Sequence, residues 1–336
     1  MVHEIASGPE IVARQEKALA RPLRELAARL VRSPPQVVVT CARGSSAHAA
    51  TFGKHLIERY LGIPVCAAAP NVASVYGQRL QLLGQLVLVI SQSGASDDLI
   101  AFANGARASG ATTVAITNDE NAPLAAACDT VVSIGAGPEL SVPATKTFVA
   151  TLSALMRLTA AWARDAALED ALRRLPERLA QATALDWNSA VDALAATASL
   201  VAIGRGPTLA TAREAALKLK ETCNLHAEAF SSAEFLHGPV GLVSAGYPLL
   251  MFMPTDAANT AMRELVARLK KEGALLLIAE PGPREPGRLP ALSPDQPEAD
   301  AVCLIQTFYS MLVGLCERRG VDADKPRNLD KITRTT

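Results

Sequence analysis

No charge of one sign predominates in this 336-residue chain: Lys and Arg number 33, Asp and Glu number 33, and the formal net charge is zero. The long-range field that gathers nucleic acid or an anionic membrane surface is therefore lacking, and an anionic ligand has to be held by local groups. Neither nucleic acid nor membrane is an expected partner. Cysteine pairing motifs are also lacking. Cys41, Cys66, Cys128, Cys223, Cys303 and Cys316 show no C-x-x-C spacing, and most sit among apolar neighbours, where cysteine acts as a small hydrophobe. That usage fits a reducing compartment. No apolar run reaches the ~20 residues that span a bilayer. The start, M-V-H-E-I-A-S-G-P-E, has no basic flank ahead of an apolar core, so no signal peptide is expected. The expected location is the cytoplasm, and the length suffices for two domains or one domain duplicated.

What the chain does contain is its own repeat. Strand-like V-V-V-T runs into A-R-G-S-S, and downstream L-V-A-I runs into G-R-G-P-T, setting Arg43 against Arg205 at an offset of about 162 residues. The match continues in register. Q-L-V-L-V-I-S-Q-S-G pairs with Y-P-L-L-M-F-M-P-T-D, and G-A-T-T-V-A-I-T pairs with G-A-L-L-L-I-A-E. Short apolar runs alternate with helical patterns in each half, the mark of parallel strands buried on both faces by crossover helices. The expected fold is α/β: two tandem doubly wound parallel-sheet domains related by internal duplication. Ligands of such sheets bind outside the carboxyl ends of the strands, the edge where Arg43–Ser46 and Ser91–Ser96 fall. Between the halves, 154–198 reads as a helical connector in which Pro176 marks a helix start or break. The six prolines of 281–297 predict a loop with at most one short strand.

Three groups of residues could carry chemistry. Ser91, Gln92, Ser93, Gly94 and Ser96 precede a helix predicted to start near Asp97, where N–H groups and hydroxyls meet the positive end of the helix dipole and suit a phosphate. Gly44, Ser45 and Ser46 stand in the same relation to the first strand. The plain alternative is N-capping by Ser96 or Ser93. Glu214, Lys218 and Glu221, at i, i+4 and i+7, share one helical face, and a solvated salt-bridge ladder is the simplest account. His237 precedes Gly-Pro, which ends a helix and presents the ring on a loop; Glu221 and His237 are expected within one turn-and-helix stretch. His226, Glu228, Glu234 and His237 match neither H-E-x-x-H nor a thiolate zinc spacing, so no metal is expected. The basic tail residues Lys325, Arg327, Lys331 and Arg334 also fit a solvated terminus.

In combination these motifs resemble the sugar isomerase (SIS) domain family, and specifically the isomerase half of glucosamine-6-phosphate synthase. The resemblance runs from about Val37 to Thr336. Its marks are S-Q-S-G at 91–94, T-K at Thr145–Lys146, A-L-K-L-K-E at 216–221, H-A-E-A at 226–229, H-G-P at 237–239 and D-x-P-R-N-L-x-K from Asp324 to Lys331. It implies that Gly44, Ser45, Ser46, Ser91, Gln92, Ser93 and Ser96 bind the sugar phosphate, with Val142 and Ala144 among the substrate contacts. It further implies that Glu221 moves a proton between C1 and C2, that His237 assists ring opening, that Lys331 matches a Schiff-base lysine, and that Lys218 lies near the same centre. The implied layout is an N-terminal helical segment at 1–34, a phosphate-binding SIS domain at 35–165, a helical connector at 166–194, a second SIS domain at 195–320 and a tail at 321–336 over the active site.

The chain also departs from the synthase pattern. Residue 2 is Val where the synthase's glutaminase cysteine would stand, so no glutamine-derived ammonia is expected. A-T-K at 144–146 replaces S-T-K, and Ala95 replaces the glutamate after S-Q-S-G. C-A-R-G-S-S resembles instead the stand-alone SIS-type deaminases. The expected activity is glucosamine-6-phosphate deamination without a cofactor, by a homodimer in which H-G-P reaches the neighbouring subunit's site. The alternatives are a fructosamine 6-phosphate deglycase and a sugar-phosphate sensor without turnover.

Overall fold

The computed structural model describes residues 1–331. The chain divides into two units, each built on one sheet. The first-sheet unit holds Glu10–Glu139, Lys146–Arg173 and, among the described residues, Asp330 and Lys331; the second-sheet unit holds Met1–Pro9, Leu140–Thr145 and Arg174–Leu329.

Helix α1 (Val2–Arg32) opens the chain. The first-sheet unit then runs β1 (Val38–Ala42), α2 (Gly44–Leu61), β2 (Val65–Ala67), α3 (Asn71–Ser74), β3 (Leu86–Ile90), α4 (Asp97–Ala108), β4 (Thr112–Thr117), α5 (Pro123–Ala127), β5 (Thr130–Ser133) and α6 (Lys146–Ala163). Every strand pair is parallel, in the order β2-β1-β3-β4-β5, with Val38 opposite Leu86 and Ala42 opposite Ile90. All five residues of β3 are buried, as a strand covered on both faces requires. Val87 and Val89 pack with Leu99, Phe102 and Leu124 on one face of the sheet. The strand order reverses direction between β1 and β3, the switch point beside which doubly wound sheets hold ligands. The turns after these two strands are the ones rich in serine.

Helix α7 (Ala166–Thr183) follows. It corrects the expectation for Pro176, which lies inside the helix without ending it. Proline removes one helical hydrogen bond and crowds the preceding turn, but Leu172, Leu175 and Leu179 along one side of α7 are at most 3% exposed, and their burial holds the helix through the defect. The second-sheet unit continues with α8 (Asn188–Leu194), β6 (Ser199–Gly204), α9 (Thr208–Cys223), β7 (His226–Ser231), α10 (Ser232–Leu236), a 3₁₀ turn at Pro239–Leu242, β8 (Pro248–Phe252), α11 (Asn259–Lys271), β9 (Leu275–Glu280), β10 (Arg288–Pro290) and α12 (Pro297–Arg319). The proline-rich segment supplies only the three-residue β10.

The second sheet is also wholly parallel, in the order β10-β9-β8-β6-β7. Counted from β6, this is the first sheet's topology again, and β3 and β8 begin 162 residues apart, at Leu86 and Pro248. The duplication read in the sequence is thus a duplication of fold. Helix α12 is long and apolar enough to cross a membrane, but most of it is buried, and its packing on α8 and α9 accounts for that composition.

Candidate active site

In the first-sheet unit, β3 delivers Ser91 to the sheet edge, where its N–H donates to the Ile116 carbonyl (3.0 Å). Its Oγ accepts from the Gly94 N–H (3.2 Å), and Ser93 Oγ accepts from the Ala95 N–H (3.4 Å). Gly94 has φ of +61°, and a Cβ there would sit 2.5 Å from the Ala122 Cβ, so the turn admits no side chain at this point. Ser96 occupies the N-cap of α4, yet its hydroxyl makes no capping bond. The N-capping account therefore does not explain Ser96, whose hydroxyl stands at the positive end of α4. The second turn begins at Arg43, the N-cap of α2, followed by Gly44 at φ +51° and by the half-buried Ser45 and Ser46.

Arg43 joins the two turns. Its Nε and Nη2 donate to Asp98 Oδ2 at 2.9 and 2.6 Å, and the Asp98 side chain is fully buried. Without that guanidinium, Asp98 would put an uncompensated negative charge in the first turn of α4, opposing an anion there. Sequence reasoning missed Asp98 as the partner of Arg43; the signal was an Asp-Asp pair opening α4.

In the second-sheet unit, α9 aligns Glu214, Lys218 and Glu221. The side chains of Glu214 and Lys218 are 0% and 1% exposed and that of Glu221 is 21% exposed. Lys218 Nζ lies 2.5 Å from Glu221 Oε2 and 3.5 Å from Glu214 Oε1, and Tyr309 Oη on α12 donates to Glu214 Oε1 at 3.2 Å. The expected solvated ladder is thus corrected: the shared face is covered, because α12 packs along α9. Two carboxylates bracket one buried ammonium, and only the Glu221 end reaches solvent. Helix α9 ends at Asn224, whose left-handed conformation (φ +49°) lets its N–H donate to the Leu219 carbonyl.

The turn-and-helix expectation for Glu221 and His237 also needs correction, since the six-residue strand β7 comes between them. His237 caps the C-terminus of α10 and is exposed, with Gly238 at φ +152° and Pro239 starting the 3₁₀ turn. In the same unit the Val142 N–H donates to the Asp324 carbonyl (3.0 Å), Ser141 Oγ donates to Asp324 Oδ1 (2.5 Å), and Ala144 is half-buried. Lys331 belongs to the first-sheet unit, where its Nζ lies 3.2 Å from Glu139 Oε2. Glu139 is buried and also accepts from the Thr147 N–H (3.2 Å) and Oγ1 (2.7 Å). Lys331 is therefore held by a carboxylate that sequence reasoning passed over. Lys325 and Arg327 are exposed, and Arg334 lies outside the described residues.

Within the first-sheet unit the structure thus gathers Gly44, Ser45, Ser46, Ser91, Gln92, Ser93 and Ser96 on two turns and holds Lys331 on Glu139; within the second it pairs Lys218 with Glu221. Among the described residues, no group of three or more His, Cys, Asp or Glu side chains could hold a metal ion.

This arrangement defines a class: duplicated, doubly wound parallel α/β proteins with serine-rich βα turns at the switch point of one sheet. The SIS domain family model matches residues 33–161 and 193–279, and the chain belongs to that family. It is 35% identical over 320 residues to a glutamine--fructose-6-phosphate aminotransferase [isomerizing] of Symbiobacterium thermophilum, a match covering 88% of this chain and 51% of that protein. The chain spans about half the length of the curated relatives it matches. Among solved structures, a "putative phosphosugar isomerase" of Silicibacter pomeroyi DSS-3 is 44% identical, with a TM-score of 0.91 over 96% of this chain and 99% of that one. A glucosamine-6-phosphate deaminase of Thermotoga maritima shares the fold, with a TM-score of 0.72 at 22% identity, covering 98% of this chain and 100% of that one.

Proposed function

We propose that the chain is a glucosamine-6-phosphate deaminase, converting glucosamine 6-phosphate and water into fructose 6-phosphate and ammonia. The observation that carries this reading is the Glu214–Lys218–Glu221 chain, a buried charge relay that ends in one carboxylate partly open to solvent. A base poised in this way suits abstraction of a proton from carbon. Lys218 fixes the rotamer of Glu221, and Glu214 with Tyr309 compensates Lys218, so the carboxylate is oriented before substrate arrives.

In the proposed reaction the phosphate is held by Ser45, Ser46, Ser91, Gln92, Ser93 and Ser96, and His237 protonates the ring oxygen as the pyranose opens. Glu221 takes the C2 proton of the open-chain amino aldehyde, leaving an enolamine, and returns it to C1. The product is a C2 imine with a C1 hydroxymethyl group. Water adds to the imine carbon, ammonia departs, and the ketone of fructose 6-phosphate remains. Lys331, set by Glu139, would serve as the Schiff-base lysine for the ketose, and Val142 and Ala144 would contribute substrate contacts. General acid–base groups of this kind are each worth about 10²–10⁴-fold. The active form is proposed as a cytoplasmic homodimer, a location supported by six free cysteines.

The test is ammonia release from glucosamine 6-phosphate by the purified chain, with fructose 6-phosphate measured in parallel. Equal yields of the two products are expected, and Glu221→Gln should lower kcat by about 10² or more while leaving phosphate affinity in place. Efficient amino-sugar synthesis from fructose 6-phosphate and glutamine would overturn the assignment. Binding without turnover, or release of an amino acid from a fructosamine 6-phosphate, would replace it with one of the alternatives.

A further inference from the structure

In the first-sheet unit α1, α6 and α7 do not close on one another. They leave a cavity of about 430 Å³, within the range of small-molecule sites. The reason is in the sequence: α1 turns Ala20 and Ala27 toward it and α6 turns Ala160 toward it, and alanine is too small to fill the space between three helices. Its apolar wall is made by Leu23 and Leu172.

The cavity is basic on balance: Arg24, Arg157, Arg164 and Arg173 line it against Glu16 and Glu169. Arg157 of α6 lines it with most of its side chain buried. Its Nη2 donates to the Val12 carbonyl (3.0 Å), and Glu16 is its nearby countercharge. Arg24 on α1 and Arg164, just past the end of α6, add two more cations, and neither side chain makes a hydrogen bond or ion pair among the described residues. None of these residues belongs to the serine turns or to α9. We propose that this cavity is a second ligand site, for a compact amphipathic anion whose apolar body lies against Leu23 and Leu172 and whose phosphate or carboxylate is bound by Arg157, Arg24 and Arg164.

The probes are hexyl phosphate and hexanoate, with inorganic phosphate and 1-hexanol as controls, titrated calorimetrically into the full chain carrying Ser91→Ala and Ser93→Ala to silence the phosphate turns. At least one amphipathic anion should bind about tenfold or more tighter than either control, since each control keeps only one half of the recognition. Arg157→Met should weaken that binding about tenfold or more. Arg24→Met, at an exposed position whose loss leaves the fold intact, should weaken it in the same direction and serves if the Arg157 variant does not fold. Controls that bind as well as the anions would overturn the proposal, as would affinities unmoved by Arg24→Met. A dimer that Arg24→Glu dissociates, with no anion bound, would assign the face to a second copy of the chain and overturn it too.

Discussion

Replacing Lys218 by Met would remove the cation 3.5 Å from the buried Glu214. At an effective dielectric of about 20, charges separated by 3.5 Å attract by about 5 kcal/mol and by 2.5 Å by about 7 kcal/mol. Desolvation of the buried ions offsets most of this, but removal of one partner exposes the other's cost in full, typically about 3–5 kcal/mol. Lys218→Met should therefore lower the unfolding free energy by about that amount in urea titrations, with an unchanged m-value. Adding Glu214→Gln to the same chain removes the stranded charge and should restore much of the loss, while activity stays low because Glu221 has still lost its clamp. A single variant that loses less than about 1 kcal/mol, or a double variant no more stable than the single one, would refute the claim that Lys218 compensates a buried carboxylate.

Other measurements follow from individual contacts. Ser91→Ala with Ser93→Ala should chiefly raise KM for the sugar phosphate with a smaller change in kcat; an unmoved KM would remove these serines from the phosphate site. Burial would raise the Asp129 pKa, but hydrogen bonds from the Thr113 N–H and Oγ1 and the Arg107 guanidinium outweigh it and hold the carboxyl below its ordinary 3.8. Its contribution is present above pH 3.8 and is lost as pH falls through the lower folded value, so urea midpoints of Asp129→Asn should vary less with pH in that window than those of the parent. Cys66 is exposed, whereas burial pushes the thiols of Cys41, Cys128 and Cys303 up to about 12. A thiol reagent at neutral pH should therefore modify Cys66 first, and mass spectrometry of the peptides would show it.

The fold was legible because parallel strands covered on both faces leave continuous apolar runs such as Leu86–Ile90, and because one offset brought several of them into register. The start of α4 at Asp97 could be read from the serine turn before it. What could not be read was which side of α9 faces inward. Glu214, Lys218 and Glu221 have the spacing of a solvated ladder, and only α12, nearly a hundred residues downstream, decides that they are covered. Arg43 with Asp98 and Lys331 with Glu139 are likewise pairs between distant segments, which no local pattern encodes. Pro176 was misread because a local rule was applied where three buried leucines prevail.

The two copies of the fold differ in where they place polar groups, and the register of the repeat shows how. At the 162-residue offset, Ser91, Ser93 and Ser96 of the first copy face Met253, Thr255 and Ala258 of the second. There Thr255 Oγ1 donates to Asp300 (2.6 Å) and Asp256 accepts from the Ala258 N–H (2.9 Å), so the second turn spends its polar groups internally, whereas the Ser96 hydroxyl caps nothing. The helices differ in the opposite sense. Glu214, Lys218 and Glu221 correspond to Phe52, Leu56 and Arg59, and Phe52 and Leu56 are at most 1% exposed in an apolar interior. The same backbone position thus carries a hydrocarbon in one copy and a charge in the other, and the charge is tolerable only where Lys218, Glu214 and Tyr309 occur together. Phe52→Glu would place a carboxylate with neither partner at the equivalent site, and an unpaired buried charge costs several kcal/mol. It should unfold or severely weaken the first-sheet unit in urea titrations, and a variant as stable as the parent would refute the claim that a carboxylate at this position needs the partners α9 and α12 supply.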